Sequence, residues 1–376
     1  MGRVFLYEFA GLGGYQHRLV ESRPVPLDGV QQMERRPTRR VKLDDVAKHA
    51  GVSRATASLV VRNSNLITPE THERVRASMK ALGYIYNHSA GSLRSQKTKT
   101  LGMVIADISN PFYAQLASGI EWACHQQDFL TIFADSAEDG ERQGMIIERL
   151  IQHNVAGVFL SASGDRSAED LAALGVAGIP AVQIMRHVEG RDVPYIGPDN
   201  IGGIQLGIDH VVELGRKKIA FLGGPPGKSS SEERLKGFKK GMARHKLKIR
   251  KDFVRSSSIS RRDARDVALA LLESSDRPDA IICYNDLMAF GAMLAMQRLG
   301  LTPGKQVALV GFDDIPESSL WTPSLTTVSI DARNIGRLAA RVLLDKIANP
   351  HRTPRDIIVD AKLVVRESCG EQMAGQ

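Results

Sequence analysis

The chain has 376 residues, enough for two or three domains, and its 43% hydrophobic and 24% charged residues are typical of a globular protein. No apolar run approaches the roughly 18 residues of a membrane-spanning helix, and the first residues, MGRVFLYEFAGLGGYQ, lack the continuous apolar stretch of a secretory signal. The cysteines lie far apart, which argues against a zinc site and a disulfide framework and favours a reducing cytoplasm: Cys124, Cys283 and Cys369.

The net charge of +8 is concentrated in one short segment of the chain. Residues 33–99 hold fourteen Lys or Arg and five Asp or Glu, a net of +9, whereas the remaining residues have a net charge of −1. Solvated surface lysines would spread this excess evenly along the chain. Charge confined to one segment instead predicts a polyanion, most simply nucleic acid, as the partner of that segment.

The first forty residues show neither helical nor strand periodicity over most of their length. We expect residues 1–32 to be a disordered extension. Met33 stands directly before the first patterned segment and is a candidate for the native start. Four arginines surround Pro37 and form a basic arm: Arg35, Arg36, Arg39 and Arg40.

Three short helices are predicted over residues 41–84. Apolar residues at i, i+3, i+4 and i+7 from Leu43 indicate an amphipathic helix that Gly51 ends. Ser53 is a suitable N-cap for the second helix. Thr68 as N-cap and Gly83 as stop bound the third helix, which has proline at its first position. The tight turn between the first two helices is typical of a helix-turn-helix module.

The second helix is the predicted recognition helix, because such modules place its N-terminal residues on base edges in the major groove. Arg54 can form two hydrogen bonds with one guanine, and Ala55 and Leu59 offer apolar contact to thymine methyl groups. The alternative is an ordinary surface helix, which the charge of this segment disfavours. The predicted DNA-binding residues on this helix are Ser53, Arg54, Ala55, Thr56, Ser58 and Leu59.

Residues 85–100 are polar and basic, and they predict a linker with room for one short helix. From Leu101 to about residue 368, buried strand-like runs alternate with helical stretches, and residues 369–376 form a tail. The alternation implies βαβ crossovers and parallel sheets covered by helices on both faces. Because 268 residues exceed one comfortable core, we expect two α/β lobes with a cleft between them. The strand-like runs are LGMVIADI, FLTIFAD, AGVFLSA, AVQIM, KIAFLGG, AIICYND and VALVGFDD.

The chain resembles the LacI/GalR family of bacterial regulators over nearly all of residues 41–368. The likeness begins with LDDVAKHAGVSRATASLVVRNSNLITPETHERVRASMKALGY, which is similar to the family's DNA-binding head. It continues in family order through LGMVIADISNPFYAQLASGIE, GPDNIGGIQLGIDHVVELGRKKIAFLGGP, ERLKGF, CYNDLMAFGAM, VALVGFDDIP, PSLTTV and LVVRES. The resemblance implies a homodimer, a periplasmic-binding-protein-like sensor and an effector bound between two lobes. Lobe one would comprise about 101–198 and 331–357, and lobe two about 199–330 and 358–368.

The resemblance also assigns roles within the linker. Leu93 matches the hinge-helix leucine that family members insert into the minor groove at an operator's centre, where such a wedge kinks DNA. The alternative is a leucine that packs against its dimer mate. Gly91 departs from the family's better helix formers, so we expect the hinge helix to be unformed away from DNA. A second departure is Lys42, where a hydroxyl N-cap is usual for the first helix.

Seven sensor residues match family positions that line the effector cleft. They follow strand-like runs, and ligands of α/β sheets bind beyond the carboxyl ends of strands. Arg234 and Asp313 could grip the hydroxyl groups of a sugar or a related polar solute; the alternative is a structural ion pair at the rim. Asp199 and Asn200 match a family pair for which turn capping is as good an interpretation as ligand contact. The predicted effector-binding residues are Phe112, Tyr113, Ser163, Arg186, Arg234, Asn285 and Asp313.

Two other classes of protein, a nucleotide hydrolase and a periplasmic solute-binding protein, fit the sequence less well. A nucleotide hydrolase is suggested by GGPPGKSSS, but Gly223 and Gly224 lie too close to Gly227 for the four intervening residues of a P-loop. No catalytic set, metal site or cofactor motif is recognisable, so we expect no enzyme. A periplasmic solute-binding protein fits neither the basic head nor the missing signal. The sequence therefore predicts a cytoplasmic, nucleoid-associated regulator, most simply a repressor, that binds double-stranded operator DNA and a sugar-like effector, with no membrane partner. The effector's identity and the sense of its control stay open.

Overall fold

The computed structural model describes residues 41–85, 98–164, 166–189, 192–352 and 355–370. The chain divides into two compact units at Asn87 and His88. The first unit contains the three-helix head, and the second contains the α/β sensor. Among the described residues, no helix has both the length and the apolar character needed to cross a bilayer. The predicted extension and basic arm, the hinge residue Leu93 and the final residues 371–376 lie outside the described residues.

The head consists of α1 (Leu43–His49), α2 (Arg54–Val61) and α3 (Pro69–Leu82). Each predicted helix end is confirmed: the Ser53 hydroxyl accepts a hydrogen bond from the Thr56 N–H, Thr68 accepts one from Thr71, and Gly83 adopts the left-handed conformation after α3. Lys42 provides no side-chain cap for α1; instead, the Asp45 carboxylate accepts the Lys42 backbone N–H at 2.8 Å. The three helices share a small core formed by Val46, Ala47, Ala50, Ala57, Val60 and Val75.

The Thr68 cap offers a test of this head. Thr68→Ala is expected to lower its free energy of unfolding by about 1 kcal/mol, because the N–H of Thr71 loses its acceptor. Thermal or urea unfolding followed by circular dichroism measures the change. Glu73→Ala, an exposed position in the same helix, is the matched control and should change stability by less than about 0.5 kcal/mol. Equal effects of the two substitutions would show that the cap contributes nothing.

The sensor contains two six-stranded sheets. The first has the order β11-β5-β4-β3-β1-β2, with every pair parallel, and the second has the order β12-β10-β9-β8-β6-β7, in which only the edge strand β12 is antiparallel. The first sheet contains β1 (Thr100–Ile105), β2 (Leu130–Asp135), β3 (Gly157–Leu160), β4 (Ala181–Ile184), β5 (Tyr195–Pro198) and β11 (Ile357–Val359). The second contains β6 (Ile219–Gly223), β7 (Val254–Ser256), β8 (Ala280–Cys283), β9 (Ala308–Asp313), β10 (Thr326–Ser329) and β12 (Lys362–Val364).

In the part of the chain that the structure describes, eight α-helices belong to the two lobes. The described helices of the first lobe are α4 (Pro111–His125), α5 (Gly140–Gln152), α6 (Ser167–Val176) and α11 (Ala332–Ala348). Those of the second lobe are α7 (Asn200–Glu213), α8 (Ser229–Arg244), α9 (Arg261–Leu272) and α10 (Asp286–Arg298). The chain passes between the lobes three times: from β5 to α7, from β10 to α11, and from β11 to β12. Connections of this kind between two lobes are the usual place for hinge motion.

The predicted fold class is confirmed, and the seven strand-like runs all contain strands. Five strands lie outside the seven predicted runs: β5, β7, β10, β11 and β12. Those strands have only three or four residues each, so they are too short to show a period. They nevertheless matter for the site, because the connections between the lobes adjoin β5, β10, β11 and β12.

Candidate functional site

The first candidate site is the exposed N-terminal end of α2. Ser53, Arg54 and Ala55 are exposed, and Thr56, Ser58 and Leu59 are half-buried, whereas Ala57 and Val60 point into the core. All six predicted recognition residues therefore reach the surface of the head. A helix of eight residues with one apolar and one polar face can lie in a major groove while its other face stays packed.

Within the head, Arg54 forms an ion pair with Asp44 of α1, in which Nε and Oδ1 are 3.3 Å apart. Both side chains are largely exposed, 73% and 49%, so the pair contributes little to stability and leaves the guanidinium accessible. On the other side, Arg76 donates a hydrogen bond to Asn63 Oδ1 at 2.9 Å, which ties α3 to the turn after α2. Helix α2 is thus held in place by its neighbours, while the guanidinium of Arg54 at its start stays accessible to a ligand.

The second candidate site is a cavity between the sensor lobes, at the carboxyl ends of their strands. It has a volume of about 30 Å³, room for one or two water molecules. Six of the seven predicted effector-binding residues line it: Phe112, Tyr113, Arg186, Arg234, Asn285 and Asp313. The described lining also contains residues that the sequence analysis did not select, namely Asp107, Asn110, Glu138, Met185, Ser230, Ile259 and Tyr284.

On the side of the second lobe, Arg234 is buried and held from several directions. Its Nε donates to Asn200 Oδ1 at 2.8 Å, and one terminal nitrogen donates to the Tyr284 carbonyl at 2.5 Å. The guanidinium carbon lies 3.7 Å from the ring centroid of Phe312, a stacking arrangement that arginine favours. Its other terminal nitrogen is 3.5 Å from Asp313 Oδ1. The guanidinium is therefore fixed, and its link to Asp313 is the weakest of its polar contacts.

Asp313 is a buried carboxylate with spare acceptor capacity. Burial raises the pKa of Asp313 to about 6, and the adjacent Arg234 opposes that rise. Its φ of 112° is unfavourable for a residue with a side chain, and such strain occurs chiefly where function requires it. Among the described side chains, Arg234 donates a hydrogen bond to this carboxylate, at 3.5 Å. Asp313 can thus accept a hydrogen bond from a ligand hydroxyl group.

A second buried acid, Asp286, supports the loop that carries Asp313. Its carboxylate accepts hydrogen bonds from the Ile315 N–H at 3.0 Å, the Ser318 hydroxyl at 2.7 Å and the Thr327 hydroxyl at 2.5 Å. Burial, together with the negative charge of Asp313, raises the pKa of Asp286 to about 7. Asp286 therefore joins the start of α10, the loop after β9 and strand β10 into one support for the site.

On the side of the first lobe, Arg186 follows β4 and is almost completely buried. Its two terminal nitrogens donate to the two carboxylate oxygens of Glu138, each at 2.7 Å. Lys228, at the start of α8 in the other lobe, places its Nζ 3.6 Å from the same carboxylate. A further contact between lobes is the hydrogen bond from the His187 N–H to the Ser229 hydroxyl at 3.0 Å. The lobes are thus in polar contact across the cavity.

Ser163 and the Asp199–Asn200 pair lie near the cleft but have structural contacts. Ser163 is absent from the described lining; its hydroxyl lies 2.6 Å from that of Ser136, and its N–H donates to Gln143, so it supports the loop behind the cavity. Asp199 caps α7 by accepting the Gly202 N–H at 2.8 Å, the turn-capping alternative, whereas Asn200 bonds Arg234. Glu138 was missed although it follows β2 within a few residues, and the strand-end rule would have identified it.

Known proteins resemble both the head and the sensor of this chain. Residues 42–87 match the lacI family of bacterial regulatory proteins, and residues 208–369 match the periplasmic binding protein-like domain. The maltose regulon regulatory protein MalI of Escherichia coli (strain K12) is 30% identical over 336 residues, covering 87% of this chain and 98% of MalI. The chain belongs to the lacI family. Members of this family are transcriptional regulators rather than enzymes.

Two solved structures of related regulators resemble this lacI-family chain. The lac repressor dimer bound to operator and the anti-inducer ONPF is 27% identical, with a TM-score of 0.79, and the match covers 88% of this chain and 99% of that one. The transcriptional regulator CelR in complex with cellobiose is 29% identical, with a TM-score of 0.66, covering 88% and 100%. Both likenesses extend over head and sensor of the lacI-family architecture.

Proposed function

We propose that this chain is a homodimeric transcriptional repressor that binds a near-palindromic operator and senses a small polar, sugar-like effector in the cleft. The observation that carries the proposal is the presence, in one chain, of a three-helix head with the exposed Arg54 at the start of α2 and a charged cleft between two sheet lobes. The operator in the lac repressor structure and the cellobiose in the CelR structure support the two halves by analogy.

The assignment of regions follows the same reasoning. Residues 41–84 form the DNA-binding domain, residues 85–100 the hinge with Leu93 as its minor-groove wedge, and residues 101–368 the effector-binding and dimerisation domain. DNA contacts come from Ser53, Arg54, Ala55, Thr56, Ser58 and Leu59. Effector contacts come from Phe112, Tyr113, Arg186, Arg234, Asn285 and Asp313, with Ser163 supporting them.

Self-association is supported by the edge of the first sheet. Strand β2 ends that sheet and exposes three large apolar side chains, Leu130, Ile132 and Phe133, by 63%, 45% and 40%. An exposed apolar sheet edge is a liability for a monomer and is usually covered. A second copy of the chain would cover it and pair two heads on one operator. Light scattering of the protein with and without a two-half-site duplex tests this: two chains per duplex are expected, and one chain per duplex would contradict the homodimer.

The coupling between cleft and operator requires two states that differ in affinity for each ligand. The three connections between the lobes allow them to rotate, and a ligand held by both lobes would stabilise one relative orientation. In a dimer, that rotation changes the separation of the two hinges and therefore of the two heads. The effector then alters operator affinity by the ratio of its own affinities for the two states.

Asp313→Asn is predicted to preserve operator binding and to weaken the effector response. The amide cannot provide the charge-assisted acceptor that Asp313 offers, so effector affinity should fall by about 1.5–3 kcal/mol. Fluorescence anisotropy of a labelled operator duplex, titrated with effector, reports both quantities. Asp345→Asn is the control and should leave both unchanged, because this half-buried acid on α11 contacts Asn349 and Arg352 and is not part of the described cavity lining. Wild-type effector affinity in Asp313→Asn would remove this residue from the site.

A further inference from the structure

The cleft contains a position built to hold a carboxylate. The two terminal nitrogens of Arg186 face both oxygens of Glu138 at 2.7 Å, the paired geometry that guanidinium groups form with carboxylates. Lys228 approaches one of these oxygens, Oε2, from the other lobe at 3.6 Å. Because the Arg186 side chain is only 5% exposed, its charge requires an anion beside it in every state of the cleft.

Glu138 occupies this position from a loop rather than from a strand or helix. It lies between β2 and α5, and both Ala137 and Glu138 have positive φ angles, 51° and 60°. Two consecutive non-glycine residues in that conformation are unfavourable. The Glu138 side chain is 29% exposed, so it can turn outward to water. Arg186 cannot follow it, since it is buried among the strand ends and also contacts the Ala162 carbonyl at 3.5 Å.

The charges of the cleft balance only while Glu138 is present. The lining contains two positive side chains, Arg186 and Arg234, and three negative ones, Glu138, Asp313 and Asp107; outside the lining, Lys228 lies beside Glu138 and brings the total to balance. Asp107 is engaged by the N–H and hydroxyl of Ser109 at 2.8 and 2.7 Å, and Asp313 is paired with Arg234. If Glu138 turns outward, Arg186 and Lys228 lose one negative charge, which a monoanionic ligand would restore.

The size of the cavity favours such a displacement. A volume of about 30 Å³ admits water but not a sugar, so in this arrangement of the lobes a ligand has to displace groups that now fill the space. Glu138 is the charged lining group with both a solvent path and an unfavourable backbone. The position that it vacates is specific for a carboxylate, while Asp313 and Asn285 across the cleft can accept and donate hydrogen bonds to hydroxyl groups.

We propose that the effector is a polyhydroxylated monocarboxylic acid, such as an aldonic or uronic acid, whose carboxylate replaces Glu138 on Arg186 and Lys228. Its hydroxyl groups reach Asp313 and Asn285. Glu138 is then a built-in competitor that neutralises the site when the ligand is absent. This inference rests on the proposed function of the cleft as the effector site and names the chemical class of the effector.

Rescue by an added carboxylate tests the site without knowledge of the true effector. Glu138→Ala leaves Arg186 without its carboxylate, so the variant should melt below the wild-type protein. Sodium acetate at 100 mM should raise its Tm by about 2–4 °C relative to sodium chloride at equal ionic strength, and wild type should show no such difference. Glu138→Gln, which preserves the size of the side chain, replaces the alanine variant if that variant does not fold.

Two control variants identify where acetate acts. Glu141→Ala removes another acid near the start of α5, one that pairs with Arg166 outside the cavity, and acetate should give it no advantage over chloride. In the double variant Glu138→Ala/Arg186→Met, the acetate effect should disappear. Equal Tm values in acetate and chloride for the Glu138 variants, or an acetate effect that survives in the double variant, would overturn the proposal.

Matched pairs of sugars then test the class of ligand with the wild-type protein. D-gluconate should raise the Tm more than D-glucose, or D-galacturonate more than D-galactose, and the acid should be the member that changes operator affinity. A larger shift by the neutral member of both pairs, or by glucose 6-phosphate alone, would overturn the proposal. If none of these sugars shifts the Tm, the comparison of acetate with chloride in the Glu138 variants decides whether the site binds a carboxylate. Failure of wild type to bind operator would refute the proposed function instead, since acetate rescue does not depend on DNA.

Discussion

Gly336→Ala is expected to destabilise the sensor by about 3 kcal/mol, because helices α4 and α11 touch through their backbones. A Cβ atom at Gly336 would lie 2.3 Å from the Leu116 carbonyl oxygen, and one at Gly119 would lie 2.1 Å from the Arg333 carbonyl oxygen. Real contacts of this kind exceed 3.0 Å, and neither helix backbone can yield without moving the sheet beneath it. Because α11 follows a connection between the lobes, the cleft should also lose its alignment.

The matched control is Gly175→Ala in α6. An added Cβ there meets nothing within 4 Å, and a helical glycine replaced by alanine gains about 0.5–1 kcal/mol. Urea unfolding followed by circular dichroism should therefore show a lower midpoint for Gly336→Ala and a higher one for Gly175→Ala. Midpoints that shift in the same direction would contradict the close packing of α4 on α11.

Arg54→Ala is expected to weaken operator binding by about 1–3 kcal/mol and to relax the preference for one base pair in each half-site. Arg54 is 73% exposed at the start of α2, where a recognition helix presents its side chains to base edges. On unrelated DNA, where the protein contacts only phosphates, Arg54→Ala should lower the binding affinity only slightly. Titrations with operator and scrambled duplexes at several salt concentrations measure both effects.

The contrasting variant neutralises Arg35 and Arg36 in the basic arm. It should weaken binding to every duplex and reduce the salt dependence, since each phosphate contact contributes about 0.9 to the slope of log K against log salt. If Arg54→Ala instead lowers affinity equally on both duplexes, α2 is not the recognition helix, and the head would then be a general basic clamp.

The helix boundaries of the head follow from the chemistry of single residues. Ser53, Thr68 and Gly83 are residue types with one favoured use at a helix end, so their positions predicted the boundaries of α2 and α3 closely. The long buried runs of the sensor predicted its central strands for a similar reason. In each case the information lies within one element and needs no distant partner.

The rest of the site depends on contacts between distant segments. The position of Glu138 shortly after β2 makes it a candidate by the strand-end rule, but its partners do not follow from the sequence: Arg186 lies 48 residues away and Lys228 is in the other lobe. Ser163 was placed in the lining by its position after β3, but its hydroxyl faces Ser136. The short strands β11 and β12 pair with different sheets, a choice that tertiary packing makes.

The most direct test of the account is selection of binding sites by the whole protein from a randomised duplex library. We expect enrichment of a near-palindromic sequence that two chains bind, with a preference of about 10³-fold or more over scrambled DNA at physiological salt. Adding a cleft ligand should change that affinity in wild type but much less in Asp313→Asn. Enrichment of no sequence, or an affinity that changes only with salt, would contradict the assignment of this chain as an effector-controlled, sequence-specific repressor.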